Sequence, residues 1–257
     1  MSTDVGSIGN IRELAQQVTL VENAGIGSAE FLSALPTPSA HIIGLTGPPG
    51  VGKSTSTSAL ITQLRGEGKK VAVLAVDPSS TFSKGALLGD RIRMQEHARD
   101  PGVFIRSLAT RGHLGGLTES IYSVLKVISA AGFEVIIIET VGVGQSEIEV
   151  AKMADTSIVI AAPGAGDGIQ AAKAGILEIA DIFTVNKADR HGADATAREL
   201  RGMLAMSGES HDWISPVIPT IATEGTGFPE LTASIALHHN FLTENGLLEA
   251  KRVSRIR

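Results

Sequence analysis

The chain has 257 residues, enough for one large α/β domain with small additions, and its length does not demand two domains. A net charge of −5 without a concentrated Lys/Arg stripe argues against nucleic acid as the main partner, and the absence of cysteine excludes disulfides and thiolate metal sites. Aromatics are only 4% of the chain, so its core must be mostly Ala, Val, Ile and Leu. No run approaches the ~20 apolar residues of a membrane span, and the polar start shows no export pattern, so we expect a cytoplasmic protein without a membrane partner.

Taken in order, residues 10 to 35 carry Ile11, Leu14, Ala15, Val18 and Val21 at the spacing of one helix face. Gly25 and Gly27 interrupt the pattern, Phe31, Leu32 and Leu35 resume it, and Pro36 and Pro38 punctuate a linker. A helical hairpin packed on the main domain is expected here. From His41 the texture changes to short β-rich runs: His41–Thr46, Lys70–Asp77, Val103–Ser107, Glu134–Thr140, Thr156–Ala161, Asp181–Asn186 and Pro216–Thr220. Several are apolar almost throughout, as in Val135-Ile136-Ile137-Ile138, the mark of strands buried on both faces of a parallel sheet. Helices are expected between them near 53–66, 117–131, 145–153, 169–179, 192–206 and 228–245. The fold class is therefore α/β, a mostly parallel central sheet with helices on both faces plus a short N-terminal helical segment. In such sheets ligands bind beyond the carboxyl ends of the strands.

After the first run, Gly47-Pro48-Pro49-Gly50-Val51-Gly52-Lys53-Ser54 matches G-x-x-x-x-G-K-[ST] between a strand and a helix. Glycines let the backbone curl so that N–H groups point at phosphate oxygens, and the helix N-terminus adds partial positive charge. Lys53 can reach the β- and γ-phosphates, the Ser54 hydroxyl can ligate Mg²⁺, and Thr55 can reach the α-phosphate. Asp77 and Glu139 close two later strands, where a carboxylate suits direct or water-mediated magnesium contact. Glu139-Thr140-Val141-Gly142 is similar to the D-x-x-G switch of GTPases, with the Gly142 N–H placed to sense a γ-phosphate. Val143 follows where small signalling GTPases carry a water-orienting Gln, which predicts slow intrinsic hydrolysis; Gln145, Asp77 and Asp90 are the candidates to orient water. Pro163-Gly164-Ala165-Gly166-Asp167-Gly168 is either a flexible loop or a moving switch.

The sixth run leads into Asn186-Lys187-Ala188-Asp189, an N-K-x-D tetrapeptide. Guanine offers N1–H and N2–H₂ as adjacent donors, and Asp189 can accept from both. Adenine would leave that carboxylate buried and unpaired, a large penalty. Asn186 can bond N7 or tie its loop to the phosphate cradle, and the Lys187 stem can lie over the base. The loop Thr220–Gly225 follows the last run, and its Ala222 N–H can contact guanine O6. The seven histidines show no metal-ligand spacing; His238-His239 are expected on an exposed helix end, and the basic tail Lys251–Arg257 as a solvated one.

Gly47–Thr55, Val76–Ser80, Leu88–Met94, Glu139–Glu147 and Ile179–Ile182 running into Asn186–Asp189 together resemble the MeaB/ArgK family of P-loop GTPases over roughly residues 40 to 235. That resemblance implies a G domain of the signal-recognition and nickel-insertion (SIMIBI) branch. It implies GTP hydrolysed to GDP with Mg²⁺, and a chaperone that gates cofactor loading of an adenosylcobalamin-dependent acyl-CoA mutase such as methylmalonyl-CoA mutase. It implies nucleotide contacts from Gly50, Gly52, Lys53, Ser54 and Thr55. Asp77, Asp90 and Glu139 would take magnesium or catalytic roles, and Gly164–Lys173 would be a partner-responsive switch, here with Gly168 where an acidic residue is usual. In many relatives a C-terminal helical arm pairs two subunits, so the resemblance implies a homodimer, and whether this chain forms one through such an arm is left open. An older label for the family, transport-system kinase, does not fit the guanine-reading tetrapeptide. The expected division is an N-terminal helical segment over 1–39, a GTPase domain over 40–227 and a C-terminal helical segment over 228–257. Two alternatives stand beside it: a nickel-insertion metallochaperone, which should carry Cys or His-rich tracts, and a nucleotide-binding module with negligible hydrolysis.

Overall fold

The computed structural model of the chain describes residues 10–77, 94–109, 114–140, 150–164, 179–206 and 212–255. Helix α1 (Ile11–Glu22) opens at Asn10, whose side chain accepts from the Glu13 N–H at 2.9 Å, and buries Leu14, Val18 and Val21. Helix α2 (Ser28–Ala34) follows after Gly27 and stops at Leu35 before Pro36. Both helices pack on α4 (Leu114–Ala130), and the α1 residues share one apolar cluster with Ile42, Leu74, Ile136 and Ile138 of the sheet. The expected helical hairpin is therefore part of the main core.

The sheet has β1 (His41–Thr46), β2 (Val71–Asp77), β3 (Val103–Ala109), β4 (Val135–Thr140), β5 (Thr156–Ala161), β6 (Ile182–Asn186) and β7 (Val217–Thr220). All seven strands pair in parallel in the order β3-β2-β4-β1-β5-β6-β7. The run Val135–Ile138 shows why it reads as unbroken apolar: successive side chains alternate faces, and both faces are covered. Ile136 and Ile138 join the cluster under α1 and α4, while Val135 and Ile137 join the one under α3 (Lys53–Gly66) and α6 (Phe228–Glu244). A third cluster seats α5 (Ala193–Met206) on β5, β6 and β7. Helix α7 (Leu247–Ser254) ends the described chain, and no helix among the described residues is long and apolar enough to cross a membrane. The expected helix at 145–153 is described only over 150–153, and that at 169–179 only at its last residue.

Two expectations are corrected at the amino edge of the sheet. His238 is buried in the middle of α6 rather than exposed at a helix end; its ring shares a hydrogen bond of 2.9 Å with Thr156 Oγ1 and lies 3.2 Å from Asp181. The face Leu231, Ile235, His238, Leu242 has helical spacing, so burial of that histidine is imposed by its apolar neighbours. Nor is the basic tail solvated. Arg252 and Arg255 both bind the fully buried Asp155 carboxylate, at 2.8 and 2.7 Å, and Lys251 donates to the Asp155 carbonyl at 2.9 Å. Asp155 also accepts from the Ile42 N–H at 2.8 Å, so these cations close on the foot of the strand that carries the phosphate loop. A buried carboxylate demands such partners, and here they come from the far end of the chain.

Candidate nucleotide site

Strand order sets the geometry of the site. β1 lies between β4 and β5, so its carboxyl end opens at the centre of the sheet, with the ends of β4 and β2 on one side and those of β5, β6 and β7 on the other. The chain leaves β1 at Thr46, curls through Gly47–Gly52 and enters α3. Gly47 has φ 147°, and a Cβ there would strike the Ile160 carbonyl of β5. Gly52 has φ 98°, and its Cβ would fall 2.5 Å from Asn186 Nδ2. These two positions need glycine because neighbouring strands press on the loop. Lys53 is buried and arches back over its own loop, donating to the Gly47 carbonyl at 2.5 Å and the Pro48 carbonyl at 3.3 Å. Thr55 is exposed on the first turn of α3.

On the β4 side, parallel register places Glu139 beside Leu45, two residues before Gly47. Its carboxylate is buried and receives two hydroxyls from successive turns of α3. Ser54 Oγ donates to Oε1 at 2.7 Å and Thr57 Oγ1 donates to Oε2 at 2.8 Å. Thr57 lies outside the loop motif and was missed from sequence; its position one turn after Ser54 is the signal that could have found it. Asp77 ends β2 in register with Ala109, and its side chain lies outside the described residues, as do Asp90, Gly142, Val143, Gln145 and the span from Ala165 through Gly168 to Lys173.

On the β6 side, Asn186 is buried at the strand end and joins two loops. Its Nδ2 donates to the Val51 carbonyl at 2.8 Å, and its Oδ1 accepts from the Ala222 N–H at 3.1 Å. Of the two roles open to Asn186, the structure shows the tie to the cradle. The Ala222 N–H expected on guanine O6 is given to Asn186 instead, so a base contact would have to share or replace that bond. Lys187 has φ 59° and its Nζ donates to the Gly50 carbonyl at 2.6 Å, a second tie between the tetrapeptide and the cradle. The Ala188 N–H bonds the Thr220 carbonyl at 3.0 Å, which holds the loop after β6 against the loop after β7. Asp189 stands exposed at the rim.

The donor set beside the cradle is oxygen only, one hydroxyl and one carboxylate, which fits a hard cation such as magnesium that takes its other ligands from phosphate and water. No group of three or more His, Cys, Asp or Glu able to hold a metal ion occurs among the described residues, so these residues make no self-contained metal cage.

Comparison with known proteins agrees with this geometry. The profile of the family described as methylmalonyl Co-A mutase-associated GTPase MeaB matches residues 14–257. A Pyrococcus horikoshii relative that carries a GTPase name is 51% identical, the match covering 96% of this chain and 80% of that protein. The mouse protein named methylmalonic aciduria type A homolog, mitochondrial, is 37% identical over 94% of this chain and 59% of its own length. Among solved structures, that of an LAO/AO transport system kinase superposes with a TM-score of 0.76 at 34% identity, covering 95% of this chain and 76% of that one. A P-loop cradle tied to an N-K-x-D loop on a seven-stranded parallel sheet, with a family match along nearly the whole chain, makes this protein a member of the MeaB family of GTPases.

Proposed function

We propose that this GTPase holds its nucleotide across the sheet centre, triphosphate on Gly47–Thr55 and guanine on Asn186–Asp189 with the Ala222 loop. In this reading it is a chaperone for an adenosylcobalamin-dependent acyl-CoA mutase, gating cofactor loading. The observation that carries the nucleotide part is the Asn186 bridge: one side chain bonds the phosphate cradle at Val51 and the β7 loop at Ala222, so both sites are built as one unit. The family's description as mutase-associated supports the partner.

The chain's own residues then have separable tasks. Lys53 exchanges the Gly47 carbonyl for β- and γ-phosphate oxygens. Ser54 and, directly or through water, Glu139 and Asp77 would hold magnesium. When bound, that ion supplies charge neutralisation of the phosphoryl oxygens. The Gly142 N–H reads the γ-phosphate, and Asp90, Asp77 or Gln145 orients water. Asp189, exposed at the rim, is covered by the base itself, and its carboxylate then accepts from N1–H and N2–H₂. Residues 40–227 form the GTPase domain, flanked by the helical segments 1–39 and 228–257.

The test is GTP turnover by the purified chain with magnesium, alone and with a methylmalonyl-CoA mutase. Slow turnover alone, accelerated by the mutase, is expected. Turnover indifferent to the mutase would overturn the chaperone reading, and none in either setting would overturn its hydrolytic half.

A further inference from the structure

We infer that Thr57 is a positioning residue for magnesium binding: it fixes the Glu139 carboxylate so that the Ser54 hydroxyl turns its proton inward and its lone pairs outward. This rests on the magnesium role proposed for Ser54 and Glu139. A hydroxyl carries one proton and two lone pairs. A serine that ligates a cation does so through a lone pair, so its proton must be directed elsewhere. Ser54 directs it to Glu139 Oε1 at 2.7 Å. That acceptor is useful only if the carboxylate does not rotate about its Cγ–Cδ bond, a terminal torsion that is broad by nature. Thr57 supplies the second point of attachment, donating to Oε2 at 2.8 Å. Two hydroxyls on successive turns of one helix then hold two oxygens of one carboxylate, and its plane is set.

Burial sharpens this. Thr57 has no solvent exposure and Glu139 only 1%, so water does not substitute for either partner. Thr57 lies on α3 between the cradle residue Lys53 and the apolar Leu60 and Ile61 of the core. Packing alone would be met there by valine, which has the same shape without the proton. A hydroxyl at that position therefore marks a hydrogen-bonding task, and its acceptor is the carboxylate beside the phosphate loop.

The test is the dissociation constant of GDP, measured for wild type, Thr57→Val and Thr57→Ser in magnesium and in EDTA. Magnesium should tighten GDP binding by the wild type. In Thr57→Val that tightening should shrink by about tenfold or more, the scale of a hydrogen bond to a charged group, while the affinity in EDTA stays as in wild type. Thr57→Ser should restore the tightening. Turnover should follow, with kcat falling in Thr57→Val and the KM for GTP little changed at saturating magnesium. Should Thr57→Val fail to fold, Thr57→Ala must show the same loss. A valine or alanine variant that keeps the full magnesium effect, or a serine variant that does not recover it, overturns the role of Thr57 alone. A wild type whose GDP affinity ignores magnesium overturns the underlying metal reading, and the role of Thr57 with it.

Discussion

The two edges of this sheet are both polar, yet only one is built as a site. At the carboxyl edge, Lys53 and Lys187 are held by backbone carbonyls of the cradle, at 2.5 and 2.6 Å. A carbonyl is a weak counterpart to an ammonium, and phosphate oxygens compete with it readily. At the amino edge, Arg252 and Arg255 meet the buried Asp155, and Lys251 meets Asp181, whose carboxylate also lies 3.2 Å from His238. Charges there are matched by opposite charges, and the strand starts are tied in as well, since the Ile42 and Ser157 N–H groups bond Asp155 and Asp181. The contrast teaches that buried charge alone does not mark function. At the carboxyl edge, Lys53 and Lys187 each rest on a carbonyl that a ligand can replace.

The largest effect expected from this comparison is at the closed edge. Asp155→Ala leaves two guanidinium groups buried without their carboxylate, which should cost about 3–5 kcal/mol of stability and lower the melting temperature by about 10 °C. Below its melting range the variant should turn over GTP as wild type does. Loss of turnover in the folded variant would erase the distinction between the two edges.

Lys53→Ala reverses that pattern. It donates to two loop carbonyls that phosphate can replace, so melting should move less than in Asp155→Ala, while GTP turnover should fall by about 100-fold or more. A variant that melts far lower but keeps its turnover would place Lys53 with the structural cations.

The smallest effect concerns acid. Burial, reinforced by His239 close by, lowers the pKa of His41 from 6.5 to about 3. Its ring shares a hydrogen bond of 2.8 Å with Thr156 and faces His238, His239, Asp155 and Arg252. The unfolded chain takes up a proton at His41 that the fold excludes, so stability should fall as pH drops from 6.5 towards 3, by at most about 1.4 kcal/mol per pH unit. Burial pushes Asp155 up, but its bonds to Arg252 and the nearby Arg255 outweigh that and hold it at about 2. Its contribution is present above pH 3.8 and is lost as pH falls towards 2, adding a second acid limb. His41→Gln should flatten the upper limb only, and a variant whose melting temperature falls between pH 6.5 and 4 as steeply as that of wild type would remove His41 from this limb.

The same contrast explains what could be read from sequence. His41–Thr46 and Thr156–Ala161 were legible to the residue, because strands buried on both faces are continuous apolar runs. The cradle and the N-K-x-D loop were legible as motifs of fixed residue types and spacing, and the structure joins them through Asn186 and Lys187. The amino-edge network was not, because Asp155 and Asp181 stand singly before their strands and nothing periodic announces them. Arg252 donates to the Pro38 carbonyl 214 residues away, a pairing that no local pattern encodes. Thr57 fell between these cases. Its spacing from Ser54 was visible, but only the parallel register that brings Glu139 beside Leu45 shows what it holds. The residues expected to sense the γ-phosphate and orient water, Gly142, Asp90 and Gln145, lie outside the described residues.

In the proposed complex one nucleotide is gripped at both ends, by the cradle at Lys53 and by a carboxylate at Asp189. The most direct test is a titration of wild type and Asp189→Asn with GTP and with xanthosine triphosphate. Wild type should prefer GTP. The variant should lose about 100-fold in GTP affinity and prefer the xanthine nucleotide, whose ring carries a carbonyl where guanine has its amine. An Asp189→Asn chain that binds GTP as tightly as wild type would contradict the grip at Asp189.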